Sequence, residues 1–352
     1  MKKILVIYGG TSSEHEISIL SAQEVVKYID REKFSVDVLG QCRNGTFRQG
    51  KASSDRLAQH LDSGPIITDP IALIRESDVV FPMLHGPGGE DGSIQGLFEV
   101  AGTAYVGSGV LACAMGMDKA IFKRFVQGLD DPFSVVPWLE FQTQDPGQLT
   151  LDDADIERIS NELGFPCFVK PANLGSAIGI QKINSAHQLR QAGQHASQYD
   201  LKVIVERGVN AREIEVAVLG NGSKETLVST PGEICLPEGS WYDYDNKYIS
   251  AAGKATVPAD LPPSIISEVQ QLALSIFRQL GCRGLARVDF FVERGSDHVY
   301  LNEINTMPGF TSISMFPMMI AHANISYQEL LTRLISLALE HHQTRKQLKR
   351  TL

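Results

Sequence analysis

Ile4–Tyr8 is an unbroken apolar run closed by Gly9-Gly10, the pattern of a strand buried on both faces of a parallel sheet. Val36–Leu39 and Asp78–Leu84 predict two more strands, the second running into the glycine-rich loop HGPGGEDG. Ser13 and Glu16 have the spacing of a capping box ahead of a helix that carries Ile17, Leu20, Val25 and Val26. Strand, glycine turn and helix in alternation predict an α/β domain with a parallel sheet. Residues 41–77 are polar, with few long apolar runs, and read mostly as excursion and helix outside the core sheet.

A new unit begins around Tyr105–Ser108. A helix is predicted after Asp118, with Ile121, Phe122 and Phe125 on one face, and another over Asp153–Leu163, stopped by Gly164 and Pro166. Cys167–Lys170, Ile178–Ile183 and Lys202–Glu206 read as strands, Ser185 and Gln188 cap a helix, and NLGSAIG reads as a loop of small residues. Together these make a small α+β unit. Strands over Glu213–Leu219 and Gly232–Ile234 follow, then a helix over 264–280. LARVDFFV and HVYLNEIN, joined by a turn at Arg294–Asp297, predict a β-hairpin. Ser326 and Glu329 box a terminal helix whose buried face carries Leu330, Leu334 and Leu337.

Length agrees with this division: 352 residues exceed one ordinary core, at about 150 residues per domain. The expected units are 1–107, 108–206 and 207–352. A net charge of −9, with basic residues bunched only near Lys346, Lys349 and Arg350, disfavours nucleic acid as a partner. Five cysteines at wide spacing, with no CxxC, fit thiols in a reducing cytoplasm. No apolar stretch approaches the ~20 residues of a membrane span. The run after the N-terminal lysines is too short for a signal peptide.

The hairpin carries the chemistry. Residues two apart in a strand share a face, so Arg287 and Asp289 point one way, as do Glu303 and Asn305. An Asp, a Glu and an Asn amide on one cleft suit Mg²⁺, which takes one or two carboxylates together with substrate phosphates and water. In the following NTMPGF, the backbone N–H of Gly309 beside an arginine would form an oxyanion hole. GxxxxGK[ST] and GxGxxG are both missing, which excludes a P-loop and disfavours a dinucleotide site at Gly9-Gly10. The better phosphate loop is Asn173–Gly179 after Lys170-Pro171, joined by Lys119 in GMDK. Glu206, ahead of Arg207-Gly208, suits a hinge whose main chain reads an adenine edge, and Glu213 suits ribose hydroxyls. WYDYDNKY packs aromatics among charges and reads as a lid that brings Lys247 and Tyr248 to a ligand.

GGTSSEHEIS, LHGPGGEDGSIQG, GMDK, FVKPANLGS, YDYDNKY, GLARVDFF and LNEINTMPGFTSIS, in this order, resemble the D-alanine–D-alanine ligases of the ATP-grasp superfamily over nearly the whole chain. The resemblance implies an N-terminal Rossmann-like α/β domain followed by a two-part ATP-grasp fold, and a homodimer formed through the N-terminal domain. It implies that one D-alanine carboxylate attacks the γ-phosphate of ATP and that a second D-alanine amine attacks the acyl phosphate, giving a dipeptide for peptidoglycan. By position, Glu14 would hold the first ammonium, in a set with Ser176 and Tyr248, and His85 would contact substrate. Lys119, Lys170 and Lys247 would contact phosphates; Glu206, Arg207 and Glu213 would serve adenine and ribose. Arg287 and the Gly309 N–H would bind the oxyanion. Asp289, Glu303 and Asn305 would hold two Mg²⁺, or Mn²⁺ in their place, and Ser314 and Met315 would line the second-substrate pocket.

Two positions depart from the family pattern. The phosphate loop reads Gly175-Ser176-Ala177 where many relatives have a second serine, and the hinge reads Glu206-Arg207-Gly208 where relatives often carry Lys and an aromatic residue. Tyr248 and Met315 favour D-alanine as the second substrate over the D-serine or D-lactate of resistance ligases. An inactive binding protein of the same fold should have lost Arg287 or a metal carboxylate, and all are present.

Overall fold

The computed structural model describes residues 1–131, 133–235 and 254–349. Their strands form three sheets, each drawn from its own stretch of chain. The first contains β1 (Lys2–Gly9), β2 (Phe34–Gln41), β3 (Phe47–Gly50), β4 (Ile66–Ile67), β5 (Val79–Met83) and β6 (Ala104–Tyr105), in the order β4-β3-β2-β1-β5-β6. β1 pairs in parallel with both β2 and β5, and Ile4 to Tyr8 are buried, as an interior strand requires. The helices of this part are α1 (His15–Tyr28), α2 (Leu57–Ser63), α3 (Pro70–Arg75) and α4 (Ser93–Ala101).

Next come α5 (Val110–Met117) and α6 (Lys119–Gln127), then the second sheet: β7 (Trp138–Gln142), β8 (Cys167–Pro171), β9 (Gln181–Ile183) and β10 (Lys202–Arg207). It is antiparallel, in the order β7-β10-β8-β9. Helices α7 (Asp153–Glu162) and α8 (Leu189–Ala196) belong to the same stretch. The third sheet has β11 (Ala211–Gly220), β12 (Leu227–Val228), β13 (Gly232–Cys235), β14 (Lys254–Thr256), β15 (Gly284–Glu293) and β16 (Val299–Asn305). Its order is β14-β13-β11-β15-β16, with β12 on β11. Helix α9 (Pro263–Gln279) precedes β15, and α10 (Met315–His322) and α11 (Tyr327–Lys346) close the chain.

The first and third sheets share a core. Val6, Tyr8 and Phe81 pack in one cluster with Leu285, Phe310, Phe316, Leu330 and Leu334. The C-terminal helices therefore bury their apolar faces partly against the N-terminal sheet, and an ion pair from Arg345 to Glu99 adds a polar tie. The second sheet keeps a separate core around Val169, Val203 and Val205.

Several local expectations change. Ser13 and Glu16 form no capping box: α1 begins at His15, its N-cap is Glu14, and no side chain caps it. The segment 41–77 adds two short antiparallel strands, β3 and β4, to the edge of the sheet. On α6 the buried side chains are Ala120, Phe122, Lys123 and Val126, while Ile121 is exposed. β9 starts only at Gln181 because residues 174–179 form the loop. Leu337 is only partly buried; the apolar face of α11 runs through Leu330, Leu331, Leu334, Ile335 and Ala338.

Candidate active site

A cleft of about 830 Å³ lies between the second and third sheets. The β15–β16 hairpin forms one wall. Its register sets Arg287 opposite Asn305 and Asp289 opposite Glu303, with an irregularity just after Asp289. Arg287 donates from Nε to Asp289 Oδ1 at 2.7 Å and from a terminal nitrogen to Asp289 Oδ2 at 2.6 Å. Its other partner is Glu215 of the neighbouring strand β11, 3.0 Å away. Burial pulls the Arg287 guanidinium down, but Asp289 and Glu215 outweigh it and hold the group firmly charged. Asn305 Nδ2 donates to Asp289 Oδ2 at 2.9 Å and lies 3.5 Å from Glu303 Oε1.

The second sheet supplies the opposite wall. Asp118 caps α6 by accepting from the N–H groups of Ala120 and Ile121 at 3.1 and 3.0 Å. This fixes Lys119 at the mouth of the cleft, where its Nζ donates to Leu174 O at 2.7 Å and lies 3.8 Å from Glu303. The 173–179 loop is anchored by Asn173, whose N–H and Nδ2 both donate to Asp200 Oδ2, at 2.7 and 2.9 Å. Ser176 and Ala177 take left-handed backbone angles, φ +53 and +56. Such angles cost non-glycine residues roughly 1–2 kcal/mol each and are concentrated at ligand sites.

The loop meets the N-terminal part of the chain at Glu14. Ser176 Oγ donates to Glu14 Oε1. Two glycines let the backbone close around this carboxylate: a Cβ on Gly86 would sit 2.6 Å from Glu14 Oε2, and one on Gly175 would sit 2.9 Å from it. Nearby, His85 is buried, with Nε2 3.0 Å from Ser21 Oγ and Nδ1 3.1 Å from Met307 O. Burial pushes its imidazole down, but Glu90 and Glu14 outweigh burial and raise it.

Lys170 Nζ donates to Glu206 Oε2, and Lys123 lies 2.8 Å from Glu206 Oε1. Burial pushes the Glu206 carboxyl up, but the two ammoniums, Lys123 foremost, pull it down to about 2. The Arg207 guanidinium binds Leu163 O and Glu162 O at the end of α7. The N–H groups of Arg207 and Gly208 already donate to Pro137 O and Pro166 O, at 2.9 and 2.8 Å. Any adenine read by N–H groups at this hinge must therefore use Val209 or beyond. Glu213 lines the cleft.

A family model described as D-ala D-ala ligase N-terminus matches residues 3–108, and one described as D-ala D-ala ligase C-terminus matches residues 130–336. The chain belongs to the D-alanine–D-alanine ligase family. A D-alanine–D-alanine ligase of Heliobacterium modesticaldum is 42% identical, over 97% of this chain and 96% of its own. One of Acetivibrio thermocellus is 40% identical over the same shares. Among solved structures, a D-alanine–D-alanine ligase from Coxiella burnetii gives a TM-score of 0.80 at 32% identity, covering 98% of this chain and 96% of that one. The VanG D-Ala:D-Ser ligase from Enterococcus faecalis gives 0.83 at 33% identity, covering 96% and 99%.

For a ligase of this family the remaining expected residues fall as follows. A Cβ on Gly309 would come 2.9 Å from Ser314 Oγ, so the 309 backbone and Ser314 touch. That hydroxyl accepts from Thr311 N at 3.2 Å and lies 2.8 Å from Thr311 Oγ1. Met315 is buried in the shared core with its sulfur against Gly232. Lys247 and Tyr248 lie outside the described residues. Two residues were missed. Glu215 shares the face of Glu213 two positions on, and Lys123 follows Lys119 by one helical turn; both spacings are visible in the sequence.

Proposed function

We propose that this ligase joins two D-alanines into D-alanyl-D-alanine, converting ATP to ADP and phosphate through a D-alanyl phosphate, for peptidoglycan precursors. The observation that carries this reading is one cleft with two facing walls. Arg287, Asp289, Glu303 and Asn305 stand on one wall. Lys119, Lys170 and the 173–179 loop stand on the other, with Glu14 at the junction.

Among the described residues no group of three or more His, Cys, Asp or Glu side chains is placed to hold a metal ion. The hairpin offers two carboxylates and an amide, a hard-oxygen set that fits Mg²⁺ sharing its coordination with substrate phosphates. Asp289, Glu303 and Asn305 would hold Mg²⁺, two ions with ATP bound, with Mn²⁺ as a substitute; the ions would neutralise charge on the phosphates. Lys119 and Lys170 orient those phosphates. Glu14, bonded to Ser176, holds the first D-alanine ammonium so that its carboxylate faces the γ-phosphate. Phosphorylation turns a poor leaving group into a good one. Arg287 and the Gly309 N–H stabilise the oxyanion as the second amine attacks. His85, held by Ser21 and Met307, contacts the substrate from the glycine-rich loop. Arg207 shapes the hinge through α7, and Ser314 with Met315 supports the second-substrate side. Lys247 and Tyr248 complete the set from the lid.

Three units, 1–107, 108–206 and 207–352, accord with one sheet drawn from each stretch of chain; the widely spaced cysteines favour a cytoplasmic enzyme, and the family resemblance favours a homodimer. Among the described residues no helix is long and apolar enough to cross a membrane.

D-serine as second substrate is favoured by one observation, the likeness to the VanG D-Ala:D-Ser ligase. Phosphate release is measured with Mg²⁺, ATP and D-alanine alone, then with D-serine, D-lactate or L-alanine added, with products read by mass. A D-Ala–D-Ala mass as the main product supports the reading. A dominant D-Ala–D-Ser mass moves the chain to the second reading, and no turnover with any D-amino acid refutes both.

A further inference from the structure

Among the described residues, the roles above leave unused the most deeply buried lysine, Lys123. Its side chain is 1% exposed, and its ammonium faces Glu206 Oε1 at 2.8 Å. The other oxygen of Glu206 is held by Lys170. Sheet register explains the second contact: Lys170 on β8 pairs with Ile204 on β10, so Glu206 is its diagonal neighbour on the same face. Lys123 joins from α6, one turn past Lys119. The outcome is a row of lysine, glutamate and lysine that begins in the core and ends on the nucleotide cleft, which Lys170 and Glu206 line.

Packing alone gives no reason for this row. Taking charges out of water costs more than a modest ion pair returns, and apolar residues of similar volume would stabilise the same place as well or better. Charge balance does give a reason. Lys170 with Glu206 alone would be a neutral pair, and its attraction for a polyanion would be largely cancelled. Burial lowers the Lys123 ammonium and Glu206, 2.8 Å away, opposes that shift; in its charged form Lys123 supplies the second positive charge, so two ammoniums and one carboxylate leave a net single positive charge facing the phosphates. Glu206 meanwhile fixes where the Lys170 ammonium points, and two of its three N–H groups remain for other acceptors.

We infer that Lys123 is a positioning residue for nucleotide binding, which neutralises Glu206 from behind so that Lys170 keeps its positive charge for the ATP phosphates. The inference rests on the reading of this cleft as the ATP site.

The test compares Lys123→Met with Glu206→Gln. Lys123→Met leaves Glu206 paired with Lys170 alone, and Glu206→Gln leaves both ammoniums without a carboxylate, so each lowers the melting temperature. Their effects on nucleotide binding differ in sign. Lys123→Met takes the row from a net charge of one to zero and raises the ATP KM, and the Kd of a non-hydrolysable ATP analogue measured by calorimetry, by roughly tenfold or more. The KM for D-alanine stays within about twofold and kcat within about threefold. Glu206→Gln takes the net charge to two and keeps an oxygen able to accept from an adenine amino group, so it is expected to lower the analogue Kd. A purely structural Lys123 would make both variants lose nucleotide affinity in step with stability, and that result overturns the inference.

Should Lys123→Met fail to fold, Lys123→Met/Glu206→Gln, which has no carboxylate left to neutralise, is compared with the wild type. It keeps the wild-type net charge of one and is expected to bind the analogue within about threefold of wild type, and a loss of tenfold or more, which would come from Lys123 acting apart from Glu206, overturns the inference. The proposed function stands apart from this: a wild type that binds the analogue but forms no dipeptide refutes that function and leaves the charge comparison intact.

Discussion

Removing the Ser176 hydroxyl should damage use of D-alanine far more than use of ATP. Ser176 donates to Glu14 Oε1 across 162 residues of sequence, and both side chains are buried. A hydrogen bond to a charged group contributes about 1.5–3 kcal/mol. Each 1.4 kcal/mol is a factor of ten, so Ser176→Ala should lower kcat/KM for the first D-alanine by roughly ten- to a hundredfold. The ATP KM should change little, since the backbone of the loop remains.

A companion variant separates this bond from backbone strain. Ser176 has φ +53, so Ser176→Gly loses the same hydroxyl but relaxes the left-handed geometry. It should be more stable than Ser176→Ala by about 1 kcal/mol, with an equal loss of kcat/KM. The assay is initial-rate ADP formation with D-alanine varied at saturating ATP, beside denaturant unfolding of both variants. Ser176→Ala within twofold of wild type on kcat/KM would refute the reasoning.

Further outcomes follow from the site. Asp289→Asn keeps the hairpin and leaves Arg287 its partner Glu215; it should cut kcat by about a hundredfold or more and raise the Mg²⁺ concentration needed for half-maximal rate, and an unchanged Mg²⁺ dependence would count against Asp289 as a ligand. Gly309→Ala puts a methyl 2.9 Å from Ser314 Oγ, which the Thr311 contacts hold in place. A shift of the 309 backbone should lower kcat tenfold or more, and a normal kcat would exclude a demanding role for that N–H. Glu206 is depressed from 4.5 to about 2, so its stabilisation is complete above about pH 4.5 and is lost as pH falls toward 2. The gap in unfolding midpoint between wild type and Glu206→Gln should shrink across that window, and a gap independent of pH would contradict the ion triad.

The hairpin was the most legible part of the site, because strand period and a short turn fix which side chains share a face. Arg287, Asp289, Glu303 and Asn305 therefore meet as their spacing requires. The junction of Glu14 with Ser176 was not legible from spacing, since it joins separate parts of the fold; only the family resemblance pointed to it. Lys123 was overlooked because an isolated lysine in a helix ordinarily faces water, and its burial follows from Glu206 arriving on another element. The strands in 41–77 were hidden by their length: β3 and β4 have four and two residues, too few for alternation to show. Met315, expected to line the second-substrate pocket, is buried at the start of α10 in the core shared by the first and third sheets, a placement its spacing did not show. Sequence periodicity shows which side of a helix is apolar, but not which neighbouring layer that side meets.

The most direct test of the account is oxygen transfer. Enzyme, Mg²⁺, ATP and D-alanine labelled with ¹⁸O in its carboxylate are allowed to turn over, and dipeptide and phosphate are both analysed by mass. Attack of the carboxylate on the γ-phosphate requires one labelled oxygen in each phosphate released, with D-alanyl-D-alanine formed in equal amount. Unlabelled phosphate beside dipeptide, or AMP with diphosphate in place of ADP, would contradict the acyl-phosphate route.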